Sequence, residues 1–183
     1  MYLFLKNERL IIRSWNPELD AKSAFEIYGD PVVMHYIREP YTSLEAVQTY
    51  LEDKVKRTNK TGTGSWALVE QETGELIGAI LLQQLPDNQG NLTQDYEIGW
   101  HLRRSRWGQG FATEAAQCII AYGFKTLQLP ELYAVVNPQN QRSIQVTQRL
   151  KMEPLGRVQK YYGVEVLLFR LVSGKTKVME PMK

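Results

Sequence analysis

Residues 105–116 read SRWGQGFATEAA, which places Gly108 and Gly110 directly before a run of good helix formers. Glycine adopts positive φ without steric cost, so a single glycine is enough for a tight turn. Two glycines one residue apart also let bare backbone N–H groups approach a ligand closely. The first N–H groups of a helix have no internal partner, and the helix dipole favours negative charge there. The stretch therefore predicts an anion site at a helix N-terminus, and the alternative is a plain strand-to-helix turn.

Three arginines stand just before the glycines, at positions 103, 104 and 106. They predict a positive rim, which suits a pyrophosphate better than a single carboxylate. A Walker A loop requires Gly-Lys-Ser/Thr, which does not follow here, and the dinucleotide fingerprint requires a third glycine where Thr113 stands. These two phosphate-binding classes are therefore excluded for this turn.

The composition is that of an ordinary globular domain. Of 183 residues, 43% are hydrophobic and 23% charged, and 22 basic against 20 acidic side chains give a net charge of +2. That excess is too small for a nucleic-acid footprint, even with three arginines in one loop. The one cysteine, Cys118, allows no internal disulfide, and two histidines add too little for a zinc site of the usual spacing. Without a signal-peptide pattern or about 18 consecutive apolar residues, we expect a cytoplasmic protein with no metal and no membrane contact.

Hydrophobic periodicity and turn signals predict the element order β-α-α-β-β-β-α-β-α-β-β. The predicted strands are 8–15, 65–71, 75–85, 95–102, 132–136 and two within 157–172, and the predicted helices are 18–28, 44–58, 109–126 and 140–150. Strand 95–102 alternates apolar residues with Glu97, Gly99 and His101, which predicts two different faces. Strands and helices that mix without a regular βα repeat indicate a mixed α/β (α+β) fold. We expect one domain over residues 1–183, with a core at about 8–172 and a polar tail at 173–183.

Two separate segments resemble the GNAT family of acyl-CoA transferases, HLRRSRWGQGFATEAA at 101–116 and VNPQNQRSIQVTQRL at 136–150. The likeness spans about residues 8–172 and is greatest to the branch that acetylates N-terminal alanine or serine of ribosomal proteins. The family loop Gln/Arg-x-x-Gly-x-Gly/Ala falls on residues 107–112, with Trp107 in the Gln/Arg place. The resemblance implies a twisted, mostly antiparallel sheet that splays at the cofactor cleft, with helices on both faces.

The resemblance also implies how acetyl-CoA binds. Its pyrophosphate would lie on the N–H groups of residues 108–113, and its pantetheine arm would run like an extra strand beside residues 100–102. Asn137 and Asn140 would meet the arm from the other side. The cofactor-binding residues expected on this basis are His101, Leu102, Arg103, Arg104, Trp107, Gly108, Gln109, Gly110, Phe111, Ala112, Thr113, Asn137 and Asn140.

The implied reaction is direct attack of an amine on the thioester, which requires a group that removes a proton. Glu97 is the first candidate for this base, because the family often places a base carboxylate on this strand. Its alternative interpretation is an exposed strand carboxylate. His101 lies on the same face and has a suitable unperturbed pKa, so it and a water chain remain alternatives.

A second catalytic candidate is Ser143, which would protonate the departing thiolate. The family's Asn-x-x-Ser falls on Asn140 and Ser143, although Asn140 is also an ordinary helix N-cap. The resemblance also implies that Tyr161 and Tyr162 lie on the acceptor side, with Tyr162 lining the acceptor pocket and Glu165 orienting the amine. The alternative for either tyrosine is an aromatic packed in a strand.

The predicted function is N-acetyl transfer from acetyl-CoA to a primary amine, either a protein N-terminus or a small molecule. The alternative is a non-catalytic acyl-CoA-binding module. A homodimer is compatible with the sequence, which decides neither the oligomeric state, the acceptor nor the acyl length.

Overall fold

The computed structural model describes residues 4–174, in which every predicted helix and strand is present. The strands are β1 (Phe4–Lys6), β2 (Leu10–Arg13), β3 (Gly64–Glu70), β4 (Leu76–Pro86), β5 (Leu92–Leu102), β6 (Glu131–Val136), β7 (Glu153–Val158) and β8 (Val166–Val172), and the helices are α1 (Pro17–Tyr28), α2 (Pro31–Met34), α3 (Leu44–Thr61), α4 (Phe111–Ala121) and α5 (Gln141–Arg149). The mixed α/β class is confirmed. Most of the predicted tail lies outside the described residues.

Four local features differ from the prediction. Strand β1 and the short helix α2 were not predicted, since three or four residues are too few to show a period. Helix α4 ends at Ala121, and a wider π turn then carries the chain to Thr126. Strand β7 begins at Glu153, earlier than expected, because Gly156 lies at an irregularity that interrupts its alternation.

The helix starts follow from local capping. Asn16 Oδ1 accepts a hydrogen bond from Leu19 N at 3.2 Å, and proline opens α1 at the first helical position. Ser43 Oγ accepts from Ala46 N at 3.2 Å at the start of α3. Both side chains satisfy N–H groups that a helix start leaves without partners. The two predicted helix starts are thereby confirmed.

The strand order is β1-β2-β3-β4-β5-β6-β8-β7. The pairs β1–β2, β2–β3, β6–β8 and β7–β8 are antiparallel, and β5–β6 is parallel. The prediction of a mostly antiparallel sheet is confirmed. The parallel ladder holds the single pair Glu97↔Tyr133 among the described residues.

The described chain forms two compact units, and the single domain stays a prediction. The first contains the residues up to Leu81 together with Trp100–Ala115, and the second contains Leu82–Gly99 and the residues from Ala116 onward. In the first unit, α1 packs against α3 over a core that includes Trp15, Tyr28, Val47, Leu51 and Ala67. A smaller core in the second unit joins Leu85, Tyr133, Tyr161 and Leu168.

Candidate active site

The glycine turn lies in the first unit, between a short 3-10 turn at Arg104–Arg106 and helix α4. Gly108 has a φ of +75° and Gly110 a φ of +87°, which confirms that both adopt the left-handed conformation that favours glycine. A Cβ at Gly108 would meet no described atom within 4 Å, and one at Gly110 would meet only Arg9 Nη2, at 3.4 Å. The packing of the described chain therefore leaves open space in front of both glycines.

The first turn of α4 supplies donors towards that space. The first internal hydrogen bond of the helix runs from Glu114 N to Gly110 O, at 3.1 Å. The backbone N–H groups before Glu114 therefore have no partner within the helix. Thr113 Oγ1 is buried and has no hydrogen-bond partner within residues 4–174. Backbone N–H groups at a helix N-terminus with a nearby hydroxyl fit a phosphate ligand. The residues present are thus compatible with the pyrophosphate that the sequence predicts.

Arg9 holds the turn from the start of the chain, a role that the sequence analysis missed. Its guanidinium bonds Glu114 Oε2 at 2.8 Å through Nε and at 2.5 Å through Nη2, and its Nη1 donates to Gln109 O at 3.1 Å. The same group lies 4.4 Å from the ring centre of Phe111. Arg9 therefore ties the glycine turn to the first turn of α4, and its charge is paired with that of Glu114.

The three arginines of the predicted rim are each matched by carboxylates. Arg103 Nη2 lies 3.1 Å from Glu26, and Arg106 Nη2 lies 3.0 Å from both Glu70 and Glu75. Arg104 Nε lies 3.4 Å from Asp30 and is the most exposed of the three. The rim is consequently less positive than the sequence suggested, because these charges are neutralised locally. Direct contacts of Arg103 and Arg104 with a cofactor stay predictions.

The end of β5 is fixed tightly against β4. Trp107 Nε1 donates to Leu102 O at 2.9 Å, and Arg103 N donates to Ile77 O at 2.8 Å. A Cβ at Gly78 would come within 2.4 Å of Leu102 Cδ2 and 2.5 Å of His101 O, so only glycine fits there. The segment expected to lie along the pantetheine arm is therefore held rigidly within this unit.

His101 has an environment that disfavours it as the base. Its ring makes an edge contact with Tyr28 at 5.8 Å, and its Nδ1 is buried without a hydrogen-bond partner among the described residues. Burial and, second, the positive charge of Lys54 lower the pKa of His101 to about 4. A base with so low a pKa is a weak proton acceptor at neutral pH, which favours Glu97 over His101.

The low pKa of His101 predicts acid sensitivity. The folded pKa lies below the unfolded value of about 6.5, so the unfolded chain takes up this proton first as the pH falls. The free energy of unfolding should then decrease by about 2 kcal/mol between pH 7 and pH 4.5 through this group alone. In His101→Gln this part of the pH dependence should disappear, as measured by urea unfolding at both pH values.

The exposed His35 provides the control for this measurement. His35→Gln is measured in parallel as a histidine replacement that leaves the His101 ring in place. If His101→Gln kept the pH dependence of the wild type, the protonation of His101 would not differ between the folded and unfolded states.

Glu97 lies in the second unit and is buried, with 6% of its surface exposed. Gln83 Nε2 donates to Glu97 Oε1 at 2.8 Å, and the Tyr162 hydroxyl donates to the same oxygen. The interpretation of Glu97 as an exposed strand carboxylate is thus wrong. The expected alternation between a buried and an exposed face is also wrong at this point, because the neighbouring residues Glu97 and Ile98 are both buried. Two neutral donors hold the carboxylate in one orientation.

Tyr162 reaches Glu97 from a turn between β7 and β8. Its φ of +58° is unusual for a residue with a side chain, and Asn88 anchors the turn by donating to Gln159 O at 2.6 Å and accepting from Gly163 N at 3.1 Å. Burial, followed by the charge of Glu97 and the hydrogen bond to it, holds the pKa of Tyr162 well above its usual value. The hydroxyl therefore remains a donor to Glu97 over the whole neutral range.

Asp95 forms a parallel arrangement two residues earlier on the same strand. The buried Tyr161 hydroxyl donates to Asp95 Oδ2, and Lys160 Nζ lies 3.2 Å from that oxygen. Asp95 is thus paired with a cation, whereas the side-chain donors described above for Glu97 are neutral. This makes Asp95 a structural counterpart against which the role of Glu97 can be tested.

The loop before α5 orients Asn137 and Asn140 through their side-chain oxygens. Asn137 Oδ1 accepts from Gln139 N at 2.9 Å, and Asn140 Oδ1 accepts from Ser143 N at 3.1 Å. The N-cap interpretation of Asn140 is confirmed. Because each oxygen is used locally, the amide NH₂ groups are the ends available to a ligand. Ser143 is half-buried, and only its backbone takes part in the cap.

Glu165 forms an ion pair with Arg157 across the β7–β8 turn. No hydrogen bond or ion pair in the part of the chain that the structure describes joins Glu165 to Glu97. Its role at an acceptor stays a prediction. Gln83, which bonds Glu97, was not singled out from the sequence, because a glutamine within an apolar strand gives no signal of its partner.

Neither a metal site nor a membrane helix is found in residues 4–174. No group of three or more His, Cys, Asp or Glu side chains converges there. No helix of that range combines the length and the apolar character needed to cross a bilayer.

Comparison with known proteins identifies the fold and the domain family of this chain. The profile of the acetyltransferase (GNAT) domain matches residues 9–153. A Bacillus licheniformis protein described as an uncharacterized N-acetyltransferase, p20, is 30% identical over 175 residues, which cover 92% of this chain and 96% of p20.

Two solved structures have the same fold. An acetyltransferase from Agrobacterium tumefaciens has a TM-score of 0.74 at 27% identity, covering 92% of this chain and 94% of its own. The ribosomal-protein-S5-alanine acetyltransferase from Vibrio fischeri has a TM-score of 0.73 at 18% identity, covering 96% and 99%. The glycine turn and the strand with the buried carboxylate both lie within the matched region.

Proposed function

This chain belongs to the GNAT family of N-acetyltransferases, and we propose that its glycine turn binds acetyl-CoA and that Glu97 assists amine attack on the thioester. GNAT enzymes take the acetyl group from acetyl-CoA. One observation carries the proposal: Gly108 and Gly110 both have positive φ, with open space before them, at the start of α4. A bare backbone at a helix N-terminus accepts a pyrophosphate without charged side chains.

The cofactor arm is proposed to lie along the end of β5. The parallel ladder of β5 and β6 holds one described pair, Glu97↔Tyr133, and no described pair joins Gly99 to β6. An extended ligand can then add to the strand by backbone hydrogen bonds. The amide NH₂ groups of Asn137 and Asn140 are proposed as further donors to the arm, since their oxygens are already engaged.

Glu97 is proposed as the group that receives the proton of the acceptor amine. A primary amine is protonated at neutral pH and cannot attack until it loses that proton, directly or through a water. The amine nitrogen then forms a bond to the thioester carbonyl carbon, and the C–S bond breaks. Tyr162 and Gln83 keep Glu97 Oε1 in place during this step. The thiolate that leaves takes a proton from Ser143 Oγ, and Ser143 recovers one, directly or through a water, from the amine nitrogen, which must lose its second proton to become a neutral amide.

The acceptor is proposed to be a primary amine at a protein N-terminus or on a small molecule. The fold similarity to a ribosomal-protein-S5-alanine acetyltransferase supports the first of these. A fold shared at 18% identity does not choose the acceptor by itself.

A cytoplasmic location, a metal-free mechanism and the absence of nucleic-acid partners form part of the same proposal. They are supported by the single cysteine and the small net charge. Association into a homodimer is compatible with it.

A calorimetric titration tests the cofactor assignment directly. We expect one-site binding of acetyl-CoA and CoA, and no binding of ATP at the same concentrations. An acceptor screen by thiol release would follow. The absence of any binding of acetyl-CoA would reject the glycine turn as its site.

Ser143→Ala tests the proposed proton donor. The variant keeps the Ser143 backbone N–H, which donates to the N-cap side chain of Asn140, so α5 should form normally. We expect kcat to fall by about tenfold or more, with the affinity for acetyl-CoA unchanged, as measured by steady-state kinetics and calorimetry. A loss of affinity with unchanged kcat would assign Ser143 to binding and remove it from the chemical step.

A further inference from the structure

An open cavity of about 520 Å³ lies in the first unit, between helix α3 and the segment that precedes it. It is lined by Arg38, Tyr41, Ala46, Thr49, Tyr50, Asp53, Lys54 and Arg57. None of these residues belongs to the cofactor site proposed above. The volume is sufficient for a small ligand or for one or two residues of a peptide.

The wall of the cavity is strongly cationic. Arg38, Lys54 and Arg57 face the single carboxylate of Asp53, which also lies 3.9 Å from Lys56 Nζ. Among residues 4–174, neither Arg38 nor Arg57 forms an ion pair. The arginines before the glycine turn, by contrast, are each matched by carboxylates. The cavity therefore holds the charges of Arg38 and Arg57 without a paired carboxylate in the described chain, which favours an anionic ligand.

An aromatic floor fixes the position of these cations. The Arg38 guanidinium lies 4.6 Å from the ring centre of Tyr41 and donates to its hydroxyl at 2.8 Å. Lys54 Nζ lies 5.1 Å from the ring centre of Tyr50, and the two tyrosine rings are 5.3 Å apart. Burial raises the pKa of Tyr50 to about 12, so its hydroxyl is a donor at neutral pH. Cations held over aromatic rings lose less freedom when they bind a carboxylate.

The same residues connect the cavity to the end of β5. Tyr50 packs edge-on against Tyr28 at 5.0 Å, and Tyr28 packs in the same way against His101 at 5.8 Å. The charge of Lys54 reaches the His101 ring, where it contributes to the low pKa of that residue. His101 is the residue before Leu102, on the segment proposed to carry the cofactor arm. A ligand in the cavity would thus lie near the strand that presents the thioester.

We propose that this cavity binds the acidic group of the acceptor, so that the substrate is a primary amine that also carries a carboxylate. This inference rests on the proposed function. Arg38 is expected to bind the carboxylate through its guanidinium fork, and Lys54 adds a second charge from the helix. The carboxylate belongs either to a free amino acid-like molecule or to an acidic residue beside a peptide N-terminus.

Matched acceptors that differ only in charge test the inference. The peptide pair is Ala-Glu-Gly-Gly-amide and Ala-Gln-Gly-Gly-amide, and the small-molecule pair is 4-aminobutanoate and 4-aminobutanamide. We expect kcat/KM to be at least about tenfold higher for the acid in one pair. A preference confined to the peptides identifies a protein N-terminus as the source of the carboxylate, and one confined to the small molecules identifies a free acid. Equal kcat/KM within both pairs overturns the inference and leaves the proposed function intact.

Two variants link the preference to the cavity. Arg38→Gln and Lys54→Gln should each reduce the ratio of kcat/KM for the acid to kcat/KM for the amide several-fold. Lys60→Gln is the control, because Lys60 is an exposed residue of the same helix that does not line the cavity. It should leave the preference unchanged. A preference that survives in both cavity variants overturns the assignment.

Direct binding keeps the inference testable if no amine is acetylated. The same acids and amides are titrated calorimetrically into the wild type and Arg38→Gln. Tighter binding of the acid, lost in the variant, supports the cavity even where the transferase proposal fails. Equal binding of acid and amide rejects the cavity independently of turnover.

Discussion

Glu97→Gln is expected to lower kcat by about 10² to 10⁴-fold, with the affinity for acetyl-CoA unchanged. Glutamine has nearly the same shape and keeps a side-chain oxygen for the bonds from Gln83 and Tyr162. It cannot accept a proton from the amine. The change therefore separates the chemical step from the packing of the second unit. Steady-state kinetics with saturating acetyl-CoA, together with calorimetric binding of acetyl-CoA, provide the two readouts.

Asp95→Asn is the matched control for Glu97→Gln. Both residues are carboxylates on β5 that accept a bond from a tyrosine hydroxyl, but Asp95 is also paired with Lys160. Loss of the Asp95 carboxylate should lower the free energy of unfolding and leave kcat within about threefold of the wild type. Full activity of Glu97→Gln with every acceptor would show that Glu97 is not the base. A water chain would then be the alternative that removes the proton from the amine.

Gly110→Glu should reduce the affinity for acetyl-CoA by about a hundredfold or more. A carboxylate at this position enters the space assigned to the pyrophosphate, and two like charges about 4 Å apart repel by several kcal/mol in a partly screened site. The protein should still fold, because the new Cβ meets only Arg9 Nη2, at an ordinary contact distance of 3.4 Å. Calorimetry with acetyl-CoA measures the loss.

Gly90→Glu controls for strain and charge in this experiment. Gly90 has a φ of +85° against +87° for Gly110, and a Cβ there meets no described atom within 4 Å. Both variants should lose about 1 to 2 kcal/mol of stability from the left-handed backbone, as measured in urea. Only Gly110→Glu should lose the cofactor. Comparable affinities of the two variants would refute the glycine turn as the binding site.

Local sequence signals predicted the elements and the turn well, because their causes are local. The caps at Asn16 and Ser43 act within four residues, and the positive φ of Gly108 and Gly110 follows from glycine itself. Strands and turns were also located, because hydrophobic periodicity and turn-forming residues likewise act over a few neighbouring positions.

The details of the site could not be predicted, since they depend on residues distant in sequence. The sequence around Arg9 does not indicate that its side chain will bond Glu114. The sequence around Glu70 likewise does not indicate an ion pair with Arg106. The hydrogen bond that holds Glu97 Oε1 likewise comes from Tyr162, 65 positions later in the sequence. Single-sequence patterns carry no such pairing information.

The bond between Arg9 and Glu114 joins residues 105 positions apart, and this has a consequence for biosynthesis. A ribosome releases Arg9 105 residues before Glu114, so the bond between them forms only after that length of chain has followed Arg9. Contacts of such long sequence separation also slow folding, because a large loop must be closed before they form. The affinity for acetyl-CoA that is proposed for the glycine turn should therefore appear late in synthesis, and acetyl-CoA should then stabilise the folded protein over partly folded forms.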